Sequence, residues 1–154
     1  AIVTTLQAVS GAGYPGVSSM DISDNVLPYI AGEEPKVETE SQKILGKFID
    51  GAIEKADFSI SAQCFRVNVL DGHTASVRVN LVKSATLEDV VKAMDNFPSL
   101  NLYSSPNRFI KVCDEPSRPQ PRLDRDNGRG MTISVGRLFP DTVFDYRFIA
   151  LSHN

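Results

Sequence analysis

The chain has 154 residues, of which 42% are hydrophobic and 23% charged, a composition typical of one globular domain. A net charge of −3 from 16 basic and 19 acidic residues argues against a nucleic-acid-binding protein, and no apolar run is long enough to cross a membrane. Two cysteines, Cys64 and Cys113, are too few for a disulfide scaffold. We therefore expect a cytoplasmic protein with neither nucleic acid nor membrane as a partner.

The first part of the chain is predicted to be a strand followed by a glycine-rich loop. Residues 2–9 are rich in β-branched side chains, which predicts a short buried strand. Residues 10–16 contain three glycines and a proline and are expected to form a loop. Residues 26–30 are apolar but interrupted by Pro28, so we expect them to be irregular.

An amphipathic helix is predicted for residues 35–49. Pro35 suits a helix start because its missing N–H group has no partner there, and Gly51 is a plausible end. The apolar residues at helical spacing are Val37, Ile44, Leu45 and Phe48. This stripe predicts a helix with one buried side.

The alternation of polar and apolar residues from 58 to 69 predicts a strand. Its apolar parity changes between Cys64 and Phe65, which predicts a β-bulge because side chains alternate in an unbroken strand. Cys64 is either a nucleophile activated by His73 or, more simply, a small buried hydrophobe of this strand.

The dipeptide Asp71–Gly72 is typical of a two-residue hairpin turn leading to a return strand at residues 77–81. In that register Arg66 and His73 project from the same face of the hairpin. An arginine among apolar residues needs an anionic partner. The residues alone leave two partners open, a structural carboxylate or the carboxylate of a substrate.

Residues 86–96 show the clearest helical pattern, in which Thr86 caps the helix and Asp89 occupies the reciprocal position of a capping box. Residues 131–135 and 144–151 read as two closing strands. Helices placed between antiparallel strand pairs predict an α+β fold whose sheet is covered by helices on one face. The absence of repeats and linkers predicts one domain, residues 1–154.

The segment from Gly11 to Gly16 matches the G-x-G-x-x-G dinucleotide pattern and follows a strand. A pyrophosphate site needs a helix that opens at the last glycines, but Pro15 pushes Tyr14 out of the helical region and no helical periodicity follows. We therefore expect a tight glycine loop with another role.

Three further features allow simple explanations. Glu40 and Lys43 flank the apolar stripe of the first helix, where they reach a cleft or form an ordinary exposed ion pair. The loop at residues 114–130 carries four arginines and four acidic residues, which predicts a self-satisfied loop or a subunit contact. Only two histidines are present, His73 and His153, without metal-ligand spacing, so no metal site is expected.

Several segments in the same order resemble the aspartate-semialdehyde dehydrogenase family, most closely its archaeal and fungal branch. One is Glu40 to Gly46, which is similar to a Glu-x-x-Lys-Ile-Leu-Gly segment, and another places Arg66 seven residues before His73. The remaining similar segments are residues 5–16, 118–125, 130–137 and 151–154. Departures are Phe65, Asn68 and Ala75, where the family commonly has Asn, Pro and Glu.

The resemblance implies a catalytic domain with a mixed, largely antiparallel sheet that pairs into a homodimer, and it leaves open whether two dimers pair into a dimer of dimers. It implies reduction of 4-phospho-L-aspartate (aspartyl phosphate) to aspartate 4-semialdehyde with NADP as cofactor and release of phosphate. By the same resemblance Arg66 holds the substrate carboxylate and His73 is the acid/base, while Gln7 orients the acyl group. Glu40 would bind the substrate amino group and Lys43 the phosphate.

The resemblance also implies that the NADP-binding domain, the nucleophilic cysteine and a terminal helix lie outside these 154 residues, so that the isolated chain is inactive. Two alternatives stay open. In the first alternative, the chain is a stand-alone dimeric anion-binding module. In the second, it is part of a related acyl-phosphate reductase such as N-acetyl-glutamyl-phosphate reductase. Glu40 argues against the second, because an acetylated substrate has no free amino group.

Overall fold

The computed structural model describes all 154 residues, Ala1–Asn154. In chain order the helices and strands are β1 Ile2–Gln7, α1 Ser19–Ile22, β2 Val26–Leu27, α2 Glu33–Ile44, β3 Lys47–Ile49, β4 Ala52–Glu54, β5 Ser61–Val67, β6 His73–Val79, α3 Leu87–Asp95, β7 Ile110–Val112, α4 Pro121–Asp124, β8 Ile133–Pro140 and β9 Tyr146–Ser152. The chain also forms two short 3-10 turns, Val9–Ala12 and Asn127–Gly130.

Seven of the strands form one mixed sheet in the order β2-β5-β1-β6-β9-β8-β7. Strand β1 runs parallel to β5, and β7 runs parallel to β8. The other four pairings, β1–β6, β2–β5, β6–β9 and β8–β9, are antiparallel. The predicted α+β fold with a mixed, largely antiparallel sheet is therefore confirmed. None of the helices is both long enough and apolar enough to cross a membrane.

The predicted hairpin at Asp71–Gly72 is wrong, because β1 lies between β5 and β6. The connection from β5 to β6 passes over the end of β1, where the N–H groups of Val9 and Ser10 donate to the carbonyl oxygens of Val69 and Leu70 at 2.8 and 3.2 Å. An Asp-Gly pair specifies a tight turn but cannot show whether another strand occupies the gap.

The predicted bulge near Cys64 is also wrong. Strand β5 pairs with β1 without interruption, from Ile2 opposite Ser61 to Gln7 opposite Arg66. The inward face of β5 stays the same along its length, but its last inward residue is the charged Arg66 rather than an apolar side chain. A polar residue buried at the end of a strand thus changes the polar–apolar alternation of the sequence in the same way as a bulge, although the strand itself is regular.

Helix α2 differs from its prediction at both ends. It begins at Glu33, two residues before Pro35, and it ends at Ile44. A β3–β4 hairpin follows, with Asp50 and Gly51 both at positive φ in its turn (48° and 81°). Positive φ at both central residues is the geometry of a type I′ turn. The predicted extension of the helix to residue 49 is therefore wrong.

Helix α2 covers the free edge of β5. The carboxylate of Glu34 accepts from Cys64 N–H at 3.1 Å, and that of Glu38 accepts from Ala62 N–H at 2.9 Å. These side chains satisfy edge amides that no neighbouring strand pairs there. The contact places the first turn of α2 beside the carboxyl ends of β1 and β5.

Helices α2 and α3 lie on the same face of the sheet, where Leu45, Val90 and Met94 surround an apolar cavity with Val3 and Phe148 of the sheet. Helix α3 carries the predicted capping box: Asp89 N–H donates to Thr86 Oγ1 at 3.2 Å, and Thr86 N–H donates to the Asp89 carboxylate at 3.0 Å.

The opposite face, called the outer face below, is covered near β8 and β9 by the loop that includes α4. Asn127 Nδ2 in this loop donates to Ser134 Oγ at 3.1 Å, and Ser134 is paired in register with the buried Leu151. The central part of the outer face is open, with Ile2 and Leu6 about 40% exposed (42% and 40%).

Candidate functional site

Three of the predicted site residues meet at the carboxyl end of β1. Gln7 ends β1 and is paired in register with Arg66 of β5. On the other side of β1, Leu6 is paired with Thr74, so the same register places His73 beside Gln7. Laterally paired residues project from the same face of a sheet. Gln7, Arg66 and His73 therefore form one row across three strands, called the polar row below.

The backbone of Ala8 links two members of the polar row. Arg66 Nη1 donates to the Ala8 carbonyl oxygen at 2.6 Å, and Ala8 N–H donates to His73 Nδ1 at 3.4 Å. Arg66 is only 5% exposed. Every ion pair within the chain involves other residues. No carboxylate of this chain forms an ion pair with this guanidinium.

The environment of His73 favours its neutral form. Burial lowers the pKa of His73 below its ordinary value, and the positive charge of Arg66 lowers it further, while Glu33 and the backbone of Gly72 act in the opposite direction. In the neutral ring Nδ1 accepts from Ala8, which leaves the proton on Nε2. A neutral imidazole is suited to exchange protons with a bound substrate.

Gly11 closes over the polar row. A Cβ at this position would lie 2.9 Å from Cε1 and 3.0 Å from Nε2 of His73, and 3.1 Å from Nη1 of Arg66. No helix opens at Gly16; the next helix, α1, has four residues and begins at Ser19. The glycine loop therefore has the geometry of a close cover over the imidazole and not that of a pyrophosphate cradle.

Glu33 joins the polar row although the sequence analysis did not select it. Gln7 Nε2 donates to Glu33 Oε1 at 3.3 Å and to Thr5 Oγ1 at 3.3 Å. The other oxygen of Glu33 lies 3.9 Å from Lys36 Nζ. The signal that would have found it is the spacing Glu33-x-x-Lys36, which repeats the Glu-x-x-Lys spacing found seven residues later.

Glu40 and Lys43 are not brought to the polar row. Both side chains are exposed. They occupy the same stripe of α2 as Glu33 and Lys36, but two turns later, which places them about 10 Å farther along the helix axis. Because α2 runs away from the carboxyl end of β1, the geometry supports Glu33 and Lys36 at the site in their place.

Cys64 lies on the inward face of β5, two residues before Arg66, and its side chain is completely buried. Burial raises the pKa of the Cys64 thiol, and nearby Glu33 raises it further. Burial also raises the pKa of the Cys113 thiol. A nucleophilic cysteine needs an accessible and electropositive environment, so both thiols have the character of structural residues.

The arginine-rich loop at residues 114–130 contains both partners of its main ion pair. Asp124, which is 1% exposed, pairs with Arg118 and accepts from the N–H of Gln120 at 2.7 Å. The hydrogen bonds from Arg118 hold the pKa of Asp124 below its ordinary value. This geometry agrees with a self-satisfied loop.

Comparison with known proteins gives a consistent result over the whole chain. A family model described as semialdehyde dehydrogenase, dimerisation domain, matches residues 1–154. Aspartate-semialdehyde dehydrogenase of Archaeoglobus fulgidus is 51% identical over 152 residues, which are 99% of this chain and 44% of that protein. The protein of the same name from Aspergillus fumigatus is 52% identical over 164 residues, covering 99% and 45%. The chain thus spans a little under half the length of these relatives.

Solved structures show the same similarity. A crystal structure of aspartate-semialdehyde dehydrogenase with NADP from Candida albicans has a TM-score of 0.87 and 43% identity, covering 99% of this chain and 45% of that one. Aspartate-semialdehyde dehydrogenase from Francisella tularensis has a TM-score of 0.74 at 17% identity, covering 99% and 52%. The second likeness concerns the fold alone.

Proposed function

The chain belongs to the semialdehyde dehydrogenase dimerisation-domain family, and we propose that it is the substrate-binding and dimerisation domain of an NADP-dependent aspartate-semialdehyde dehydrogenase. The reaction is the reductive dephosphorylation of 4-phospho-L-aspartate to aspartate 4-semialdehyde. The observation that carries this proposal is the buried guanidinium of Arg66, which has no carboxylate partner and lies beside a neutral imidazole.

Arg66 is the proposed site for the substrate α-carboxylate. Only Nη1 of its guanidinium makes a hydrogen bond, to the Ala8 carbonyl oxygen. No side-chain nitrogen or oxygen that is sealed from solvent lacks a partner. The remaining donors of Arg66 therefore reach accessible space, where a planar guanidinium can bind a carboxylate through two parallel hydrogen bonds.

His73 and Gln7 are the proposed catalytic pair of this domain. A neutral His73 accepts the proton of a thiol nucleophile and later returns a proton to the product. The side-chain oxygen of Gln7 makes no hydrogen bond within the chain, because both hydrogen bonds of this side chain are donated by Nε2. This free acceptor supports a role for Gln7 in orienting an acyl group near His73. Since Cys64 and Cys113 are both buried, we assign the nucleophilic thiol to a part of the protein outside this chain.

For the amino and phosphate groups of the substrate we propose Glu33 and Lys36. Glu33 contacts Gln7 directly, and Lys36 lies 3.9 Å from Glu33. A carboxylate is suited to an ammonium group and a lysine to a phosphate. Glu40 and Lys43 keep the same spacing but are exposed at a distance from the polar row, so they are the natural comparison in a test.

The residues of this chain do not fit a dinucleotide cofactor, because the glycine loop opens no helix and Gly11 is occupied with His73. We propose that NADP binds mainly in the part of the relatives' length that lies outside the match. When bound there, the nicotinamide supplies the hydride. The two free cysteines agree with a reducing compartment such as the cytoplasm.

The test is steady-state kinetics of the full-length enzyme carrying single substitutions. Arg66→Leu is expected to lower kcat/KM by about 100-fold or more, because two charge-assisted hydrogen bonds are lost. Arg122→Leu, an exposed arginine in α4, serves as the matched control. Wild-type kinetics for Arg66→Leu would contradict the proposal, as would a preference for N-acetyl-glutamyl phosphate over aspartyl phosphate.

The pair Glu33→Gln and Glu40→Gln distinguishes the two Glu-x-x-Lys segments in the same assay. We expect Glu33→Gln to raise KM for aspartyl phosphate at least tenfold, whereas Glu40→Gln stays near wild type. The reverse order would assign the amino-group site to Glu40.

We propose that the homodimer forms through the outer face. Ile2 and Leu6 are exposed at its centre, next to Arg78 and Arg147, a mixture of apolar and arginine side chains typical of interfaces. Leu6→Asp should shift the sedimentation coefficient towards a monomer, whereas Val82→Asp, at a fully exposed position elsewhere, should not. An unchanged dimer with Leu6→Asp would refute this interface. Sedimentation of the unsubstituted protein decides whether such dimers pair into a dimer of dimers.

A further inference from the structure

Asn154 connects two segments that approach His73 from different sides. Its Oδ1 accepts from Gly72 N–H at 2.8 Å, and its Nδ2 donates to Ser10 Oγ at 2.8 Å. The residue follows β9, which is the neighbour of β6 and pairs Ser152 with His73. The sheet therefore delivers this amide to the start of β6.

Both partners of Asn154 are adjacent to residues that touch the imidazole. Ser10 precedes Gly11, whose Cα leaves no room for a methyl group against Cε1 and Nε2 of His73. Gly72 directly precedes His73 in the chain. The Asn154 amide thus holds both the glycine loop, at Ser10, and the backbone that carries His73, at Gly72.

Few other contacts hold the glycine loop against the rest of the chain. The glycine loop is attached to the β5–β6 connection by Val9 and Ser10, whose N–H groups donate to Val69 and Leu70. From Gly13 to Ser18 the loop has no regular structure, and most of its residues are exposed. A loop of this kind relies on a few side-chain hydrogen bonds to keep one position.

We propose that Asn154 is a positioning residue of the reaction: its side-chain amide clamps Ser10 to Gly72 and so keeps the glycine loop closed over His73. This proposal rests on the proposed function, in which His73 is the acid/base. The side-chain amide of Asn154 makes its hydrogen bonds to Gly72 and Ser10 and acts through the two segments it joins. The same clamp gives the glycine loop a role that the rejected dinucleotide pattern does not supply.

Opening of the clamp has a defined electrostatic consequence. Burial and the charge of Arg66 lower the pKa of His73, whereas Glu33 and the backbone of Gly72 raise it. A loosened loop admits water to the ring, which weakens both lowering effects. The pKa of His73 should then rise towards its ordinary value, and a smaller fraction of the enzyme should have the imidazole in its neutral, aligned state.

The experiment compares Asn154→Ala with Asn154→Asp in the full-length enzyme. Asp keeps an acceptor for Gly72 N–H and allows the Ser10 hydroxyl to donate to it, so it preserves the clamp. Asn80→Ala is the matched control, because it removes an asparagine acceptor from Asp145 N–H at 3.0 Å, far along β6 from the site. Ser10→Ala opens half of the clamp and replaces Asn154→Ala where that variant does not fold.

Asn154→Ala is expected to lower kcat about tenfold with KM within about twofold, and to move the acid limb of the pH–rate profile upward. Asn154→Asp should retain most of kcat, and Asn80→Ala should match wild type. Wild-type kcat and an unshifted acid limb for Asn154→Ala would overturn the proposal. A lower kcat that merely follows the folded fraction, with an unshifted acid limb, would overturn it as well, since that is a purely structural effect.

A second measurement, the pKa of His73, does not depend on catalytic turnover. The His73 ring protons are followed by NMR during a pH titration and are assigned by their loss in His73→Gln. An upward shift of the pKa of His73 in Asn154→Ala, absent in Asn80→Ala, supports the clamp even if the protein acts on another substrate. An unchanged titration refutes the clamp whether or not aspartyl phosphate is the substrate.

Discussion

A methyl group at Gly11 is the smallest perturbation that tests the geometry of the polar row. In Gly11→Ala the new Cβ would lie 2.9 Å from Cε1 of His73 and 3.1 Å from Nη1 of Arg66. Gly11 has no positive φ, so the backbone itself accepts alanine. The substitution therefore changes space alone, at the point where the glycine loop meets the imidazole.

The size of the effect follows from these distances. Ordinary contacts of a Cβ begin at 3.4 Å, so the imidazole must retreat by 3.4 − 2.9 = 0.5 Å and the guanidinium by 3.4 − 3.1 = 0.3 Å, or the loop must lift. A displacement of about 1 Å at a catalytic group costs roughly 100-fold in rate. If the logarithm of the rate loss is proportional to the displacement, a shift of about 0.5 Å corresponds to about a tenfold loss of kcat/KM.

The assay is steady-state reduction of aspartyl phosphate by full-length Gly11→Ala, together with its unfolding midpoint. Ala12→Ser, which adds one atom at an exposed position of the same loop, is the control and should match wild type. A Gly11→Ala enzyme with wild-type kcat/KM and an unchanged titration of His73 would show that the loop does not press on the imidazole. A loss of activity caused only by unfolding would appear as a lower midpoint with normal activity per folded molecule.

The other predictions concern stability and thiol chemistry. Asp124→Ala should lower the free energy of unfolding by about 2 kcal/mol in urea titrations, because it removes the buried carboxylate that accepts from Arg118, Gln120 and Asn127. Since the pKa of Asp124 is lowered in the folded protein, its contribution is present above the ordinary carboxyl range near pH ~4 and is lost as the pH falls through the lower folded value; the reverse trend would refute the pairing. Thr86→Ala should cost about 1 kcal/mol of unfolding free energy through loss of the cap of α3, and no change would show that the capping box contributes nothing. Because burial raises its pKa, Cys64 should react with iodoacetamide at neutral pH far more slowly than a free thiol, and fast alkylation of the folded protein would contradict its burial.

Local patterns predicted the elements whose stability is local. The capping box at Thr86 and the apolar stripe after it are complete within eleven residues, and the helix forms there as expected. The start of α2 was less accurate because Pro35 is compatible with several positions of the first turn. The β3–β4 hairpin was missed, because Phe48 fits a helical stripe and a strand equally well.

The candidate site was predicted in part, and for different reasons at different residues. Arg66 and His73 were expected on one face, but through a direct hairpin, whereas β1 separates their strands and contributes Gln7 between them. Glu33 was missed because its value depends on the contact of α2 with the end of β1. The sequence repeats the Glu-x-x-Lys spacing, and only packing distinguishes the two copies.

By itself the sequence determined the class of fold, the candidate residues Arg66, His73 and Gln7, and the resemblance to a family. These properties depend on composition, on periodicity and on short motifs, each of which is complete within a short segment. The order of the strands, the burial of Arg66 without a carboxylate, the cover formed by Gly11 and the clamp at Asn154 were decided by the tertiary structure. They join residues up to 144 positions apart in the chain, as in the bond from Asn154 to Ser10, and no local pattern carries such pairings.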